Sequence, residues 1–339
     1  MRVLVTGSSG QIGTNLALRL QAEGHDVFGV DKRLNPWTGA FPYLLQDLAG
    51  HYPATPGGIG GVEYPETDLV VHLAAHAKVH QLVAEPHRAL ENVVMTFNVL
   101  EYARRARLPV VYASSREVYG DIHRFEEVDE STADFAFTES TYSASKISGE
   151  AFVYAYARCY DLRYLVFRFS NVYGRYDNDL HRMVRVIPLF IHQIGRGEPI
   201  TVFGGREKTL DFTYVDDCVE GIVRGVEALG AGRVVDETVN LAYGQGNTLV
   251  RVAELIGAEL GAEPQMTLAP SLLGEVTRYV ADIGRARDLL DWRPATPVDE
   301  GIPKAVTWFR EHRAAHPDEN RPVVADTSVG WKTLAADPS

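Results

Sequence analysis

The chain has 339 residues, 45% of them apolar and 23% charged, with a formal net charge of −12. Such a chain can build one large core or two unequal lobes, and its acidic balance excludes a basic surface for binding phosphate backbones. Two cysteines, Cys159 and Cys218, are too few for a disulfide framework; each lies in an apolar helical pattern that predicts a buried, reduced thiol.

The first residues, MRVLVTG, are strand residues. No charged leader, signal core or membrane-length apolar run appears, so the expectation is a cytoplasmic protein without membrane or nucleic-acid partners. RVLVTG predicts a strand and residues 11–23 a helix ended by Gly24, followed by a second strand, DVFGVD. GHYPATPGGIGGVEYPE is dense in Gly and Pro and reads as a surface loop. DLVVHLAA, LPVVYASS and LRYLVFRFS are near-continuous apolar runs, the mark of central parallel strands covered on both faces. Their alternation with helical patterns predicts an α/β fold, a Rossmann-type doubly wound parallel sheet.

After about residue 170 the elements shorten. Helices are expected near 184–195, 215–229 and 248–260, with strands near 199–203 and 237–242 and two late helices. This predicts a nucleotide-binding domain over 1–170, a smaller C-terminal α/β substrate lobe over 171–313 and a polar surface tail over 314–339, with some later segments returning to the first sheet.

Gly7, Gly10 and Gly13 stand between the first strand and first helix, in TGSSGQIG. Lacking side chains, they allow a tight turn and close approach of a pyrophosphate to a helix N-terminus. Asp31 ends the second strand at the spacing of an acid on the adenosine ribose, where it would repel a 2′-phosphate, so NAD is expected over NADP. Lys32 and Arg33 are the residues that would argue otherwise.

In TYSASKISGEAFVYAYARCYD, Tyr142 and Lys146 are four apart and share a helix face. An ammonium beside a phenol is expected to lower its pKa, giving a base that removes a hydroxyl proton while the adjacent carbon loses hydride.

These motifs, with HLAAHA, ENVVMTFNVLE, SSREVYG, RFSNVYG, DFTYVDD and RYVADIGRARDLLDW, resemble the extended short-chain dehydrogenase/reductases over about residues 1–313. The likeness is to the nucleotide-sugar epimerase/dehydratase branch, including UDP-glucose and UDP-glucuronate 4-epimerases. It implies Tyr142 as base, Lys146 on the nicotinamide ribose and Ser115 on the substrate hydroxyl. It implies a cofactor site of Gly7, Gly10, Gln11, Ile12, Gly13, Asp31, Asp47, Leu48, Leu73, Ala74 and Ala75, buttressed by Asn92. Lys78 would line the cofactor and substrate, and Asn171 would contact the substrate.

In SSREVYG, Ser115 takes the catalytic position and Ser114 braces the turn. Dehydratases of the branch carry an Asp-Glu pair next; here it is Arg116-Glu117. Arginine is no general acid at neutral pH, which disfavours dehydration. Glu117 is either a second catalytic carboxylate or the partner of Arg116. Leu210 and Leu272 stand where the branch has arginines that grip pyrophosphate. Arg175, Arg182, Arg185, Arg206, Lys208 and Arg278 are the available substitutes.

The leading expectation is a nucleotide-sugar 4-epimerase working through a transient 4-keto sugar. The alternatives are a decarboxylase or dehydratase using Glu117, a dehydrogenase on a non-nucleotide substrate and, least favoured, a non-catalytic NAD sensor. No metal site is expected. Apolar residues run round most of the helices GEAFVYAYARCY and NVVMTFNVLEYA, which predicts a homodimer joined through a four-helix interface.

Overall fold

A computed structural model of the chain describes residues 1–120, 128–177, 185–271 and 278–316. The first half runs β1 (Arg2–Thr6), α1 (Gln11–Ala22), β2 (Asp26–Asp31), β3 (Tyr43–Leu45), β4 (Ala54–Thr55), β5 (Gly58–Ile59), β6 (Val62–Glu63) and β7 (Leu69–His72). It continues through α2 (Val79–Ala84), α3 (His87–Ala106), β8 (Val110–Ser115), α4 (Thr141–Tyr160) and β9 (Tyr164–Phe169). The second half holds β10 (Asn171–Tyr173), α5 (Val186–Ile194), β11 (Ile200–Phe203), β12 (Thr209–Tyr214), α6 (Val215–Gly230), β13 (Glu237–Leu241), β14 (Gly246–Thr248), α7 (Leu249–Leu260), β15 (Met266–Ala269), α8 (Gly284–Leu290) and α9 (Val298–Ala315).

Seven strands form one parallel sheet in the order β13-β9-β8-β7-β1-β2-β3. This is the Rossmann-like α/β sheet that the apolar runs predicted. Strand alternation sends successive side chains to opposite faces. Val3 and Val5 join one core with Leu165 and Phe167, while Leu4 and Val70 join the other with Val110 and Val166. α1 and α6 cover the first face; α3 and α4 pack together over the second. The order reverses at β1, whose neighbours are β2 and β7, so the carboxyl ends of β1 and β7 open a crevice at a topological switch point.

β13 returns to the main sheet late in the chain. The rest of the second half builds two small sheets, β10-β12-β14 and β11-β15.

Three expectations are corrected. The Gly- and Pro-rich stretch is not plain loop: β4, β5 and β6 form a small antiparallel meander with Ala54 and Ile59 buried. Cys159 is exposed, because it lies on the outer side of α4; only Cys218 is buried, and burial pushes its thiol pKa up. The tail boundary at 314 cuts a helix, since α9 runs to Ala315; residues 317–339 lie outside the described residues. Among the described residues no helix is long and apolar enough to cross a membrane.

Candidate active site

The glycine turn after β1 is built for close contact. Gly7 has φ +74, and a side chain there would bring its Cβ to 2.7 Å from the backbone nitrogen of Ala74; at Gly13 a Cβ would come 2.2 Å from the Gly7 carbonyl oxygen. The N-cap of α1 is Gly10, with no side-chain hydrogen bond closing the helix end, so its N–H groups remain available to an anion. Gln11 is buried; its Nε2 donates to the Gly174 carbonyl, and its Oε1 accepts from Arg185. Ile12 packs against the core from this turn.

Asp31, at the end of β2, is buried. Its carboxylate accepts from Ser9 N and Arg33 N, each at 3.0 Å. That fixes the acid beside the glycine turn. Leu48 is buried, whereas Asp47 is exposed, with its Oδ2 3.9 Å from Lys32 Nζ. Leu73, Ala74 and Ala75 follow β7 and are half-buried at the crevice. The open helix end, the side-chain-free turn and a fixed acid at the end of β2 fit a dinucleotide such as NAD.

A buried polar chain supports the turn. Ala74 N donates to Thr6 Oγ1, which lies 2.7 Å from His72 Nδ1; His72 Nε2 lies 3.3 Å from Thr96 Oγ1, which donates to the Asn92 carbonyl. One assignment gives every hydroxyl a consistent direction: Nδ1 accepts from Thr6 and Nε2–H donates to Thr96. Burial and the Lys146 charge push the His72 pKa down to about 3, so the ring is neutral. Asn92 in turn accepts from His76 N (2.7 Å) and donates to His76 O (3.0 Å) and Ser145 Oγ (3.1 Å). It thereby links the cofactor crevice to α4. Sequence reading missed His72; the signal was a histidine inside an otherwise apolar strand.

Tyr142, Lys146 and Ser115 come together. Ser140 caps α4 through a reciprocal bond with Ser143, and α4 then carries Tyr142 and Lys146 past the end of β8. Lys146 Nζ donates to the Ala113 carbonyl at 2.7 Å and lies 5.9 Å from the Tyr142 ring centre. Burial lowers the lysine pKa to about 8. The Tyr142 pKa is pushed up to about 12: burial dominates, the Ser115 hydroxyl pulls it down as a hydrogen-bonding group, Glu117 raises it, and Arg116 and Arg185 lower it. This corrects the expectation of a phenol already acidified by Lys146. The ammonium is held by a main-chain carbonyl, and desolvation of the phenolate wins.

Ser115 Oγ accepts from Glu117 N at 3.3 Å, capping the short turn Arg116–Tyr119. Ser114 points the other way, donating to Glu150 Oε1 at 2.5 Å. It braces α4 rather than the turn. Glu150 is itself held by Arg168 at 2.7 Å in a buried pair. Glu117 is buried and pairs with Arg116 across 3.1 Å.

The remaining substrate candidates divide. Asn171 Nδ2 donates to the Asp211 carbonyl at 3.0 Å. Lys78 stands at the N-cap of α2 and is half-buried. Arg206 and Arg278 are exposed, with residue 278 bridging Thr209 at the start of β12. Leu210 and Lys208 are buried, and Arg175 is engaged with Asn15 and Asp216. Arg182 and Leu272 lie outside the described residues. Asp211 was missed as part of this wall. Its carboxylate accepts from Tyr243 N and Gly244 N at 2.9 and 2.8 Å, while burial raises its pKa to about 6.

A parallel switch-point sheet, a dinucleotide crevice and a Ser–Tyr–Lys group at its mouth define a nicotinamide-dependent enzyme of the short-chain dehydrogenase/reductase type. The model of the NAD dependent epimerase/dehydratase family matches residues 3–242, and the chain belongs to that family. It is 32% identical to a UDP-glucose 4-epimerase of Mycolicibacterium smegmatis, over 91% of this chain and 99% of that protein. It is 30% identical to UDP-glucuronic acid decarboxylase 1 of Xenopus tropicalis, over 92% of this chain and 74% of that protein. The crystal structure of a Thermus thermophilus UDP-glucose 4-epimerase in complex with NAD superposes with a TM-score of 0.78 at 27% identity, covering 91% of this chain and 99% of that one.

Proposed function

We propose that the chain is an NAD-dependent 4-epimerase of a UDP-sugar, working through a 4-keto sugar. The observation that carries this reading is the pairing of Glu117 with Arg116 next to the Ser115–Tyr142–Lys146 group. The site has a base for one hydroxyl, and its second carboxylate is occupied by an ion pair, so oxidation and re-reduction at C4 is the chemistry these groups support.

Gly7, Gly10, Gly13, Asp31 and residues 73–75 would hold NAD, which would supply a reversible hydride acceptor for C4. Ser115 orients the C4 hydroxyl. Tyr142 would accept its proton as the ketone forms, once the positive nicotinamide of bound NAD offsets the burial that disfavours its phenolate, and would give it back when the ketone is reduced on the other face. Lys146, anchored on the Ala113 carbonyl, holds its ammonium 5.9 Å from the Tyr142 ring centre. Decarboxylation of a UDP-hexuronate is the second reading, favoured by the likeness to UDP-glucuronic acid decarboxylase.

We further propose a homodimer formed through α3 and α4. Their outer side exposes Leu90 and Phe97, with Phe97 and Phe152 rings 6.2 Å apart, next to the small exposed residues Ala151 and Ala155.

Incubation with UDP-hexoses and UDP-hexuronates, read by NMR, tests the reaction. The expected product is the C4 epimer, and Tyr142→Phe is expected to lose about 10²–10⁴ in rate while keeping NAD. A pentose product with release of CO₂ would replace epimerisation by the second reading.

A further inference from the structure

We infer that Arg116 is an anion-recognition residue, and that the sugar it selects is a hexuronate carried on a nucleoside diphosphate. The inference rests on the 4-keto reading above and names the substrate class of that site.

Arg116 follows Ser115 directly. Its guanidinium lies over the Tyr279 ring, 5.7 Å from the centroid, and its side chain is only 12% exposed. One terminal nitrogen, Nη2, faces Glu117 Oε1 at 3.1 Å. The other, Nη1, is buried and has no hydrogen-bond partner among the described residues. The group's charge reaches both the Tyr142 phenol and the Asp211 carboxylate, so it acts on the base and on the far wall of the site alike.

A guanidinium keeps its proton in a protein, so it cannot relieve a buried, unpaired N–H by shedding its charge. Such a donor is costly unless an acceptor reaches it, and a carboxylate is the acceptor that matches a guanidinium in charge and shape. Ser115 and Tyr142 set the position of C4. The neighbouring carbon, C5, carries CH₂OH in a hexose and a carboxylate in a hexuronate. An arginine one residue beyond Ser115, in the same turn, is placed to read that substituent. Tyr279 supplies an apolar wall that excludes water from the contact, and its own buried hydroxyl also lacks a partner among the described residues. A hexose would give Arg116 only a neutral acceptor, which is the weaker bond.

The experiment compares UDP-glucuronate with UDP-glucose on the full chain, by kcat/KM and by calorimetric Kd, for wild type, Arg116→Lys and Arg116→Met. NAD released on denaturation serves as the folding control. The expected result is a wild-type preference for the uronate of roughly 30–100-fold. Arg116→Met should collapse that ratio to within a few-fold of unity, chiefly through KM, and Arg116→Lys should restore part of it. A wild-type preference for UDP-glucose, or an equal loss on both sugars in Arg116→Met, overturns the inference. Should neither sugar be turned over, the 4-keto reading fails, and the two Kd values still decide whether Arg116 selects the carboxylate. A decarboxylated product from wild type would replace the reaction and count against Arg116 as the carboxylate's partner, since a bound guanidinium slows the loss of CO₂.

Discussion

Replacing Glu117 by Gln separates the roles open to this carboxylate. Its side chain and that of Arg116 are 6% and 12% exposed and 3.1 Å apart. Breaking a pair so enclosed leaves a buried cation uncompensated, which costs up to about 3–5 kcal/mol; the Gln carbonyl still accepts from Arg116, so about 2–3 kcal/mol is expected. In a chain of this size that lowers Tm by about 3–4 °C. The catalytic effect should run the other way. Glu117 raises the Tyr142 pKa, so its loss brings the phenol closer to working pH. Arg116, facing a neutral amide instead of a carboxylate, also keeps its full charge for an anionic substrate. Thermal denaturation, NAD content and the UDP-sugar product ratio by NMR check these points. Epimerisation should stay within a few-fold of wild type, with a KM for uronate unchanged or lower. If Glu117→Gln is as inactive as Tyr142→Phe while binding NAD and substrate, the carboxylate acts on the substrate and plain epimerisation is wrong. An unchanged Tm would refute the ion-pair account.

NAD should bind at least about tenfold more tightly than NADP, because the buried Asp31 faces the position of a 2′-phosphate; comparable affinities by calorimetry would assign Lys32 and Arg33 to that phosphate. His72, with a folded pKa near 3 against 6.5 unfolded, contributes on the order of 5 kcal/mol that is present above pH 6.5 and lost as pH falls toward 3. Urea titrations of wild type should therefore fall steeply in that window, and those of His72→Gln less so; equal slopes would remove His72 from the account. Light scattering at micromolar concentration should show a dimer, and Phe97→Asp a monomer; a monomeric wild type rejects the α3–α4 interface.

The sheet was legible because its central strands are apolar on both faces. Val3-Leu4-Val5, Leu69-Val70-Val71 and Val110-Val111 feed the two cores in alternation, which leaves no polar position to confuse the pattern. The meander at residues 54–63 was not legible. Its strands are two residues long, below any periodicity, and its glycines read as loop. Cys159 misled for a related reason: α4 is apolar nearly all round, and only the structure shows which side faces away from the sheet. In the site, spacing placed Tyr142 and Lys146 on one face but not where the ammonium goes. The Ala113 carbonyl takes it, and burial then decides the phenol's pKa. Contacts between distant segments, such as Thr6–His72–Thr96 and Arg116–Tyr279, have no local sequence signature.

The same limit explains why the motifs reach the family and stop short of the reaction. Ser115, Tyr142 and Lys146 serve any chemistry that begins by oxidising C4. The fate of the ketone is decided at C5. A 4-keto hexuronate is a β-keto acid: when its C5–C6 bond aligns with the carbonyl π system, that bond breaks, CO₂ leaves, and the electron pair passes into the enolate at C4. Decarboxylation therefore withdraws negative charge from the carboxylate. A guanidinium bound to that carboxylate stabilises the reactant more than the transition state, and so slows the loss of CO₂. On the inference above, Arg116, enclosed against Tyr279 and steadied by Glu117, would be such a group. A site that binds a uronate in this way favours returning hydride to C4 over breaking C5–C6. On that ground substrate selection and reaction outcome depend on the same residue, and Arg116→Met should raise the proportion of pentose formed from a UDP-hexuronate even as it weakens binding.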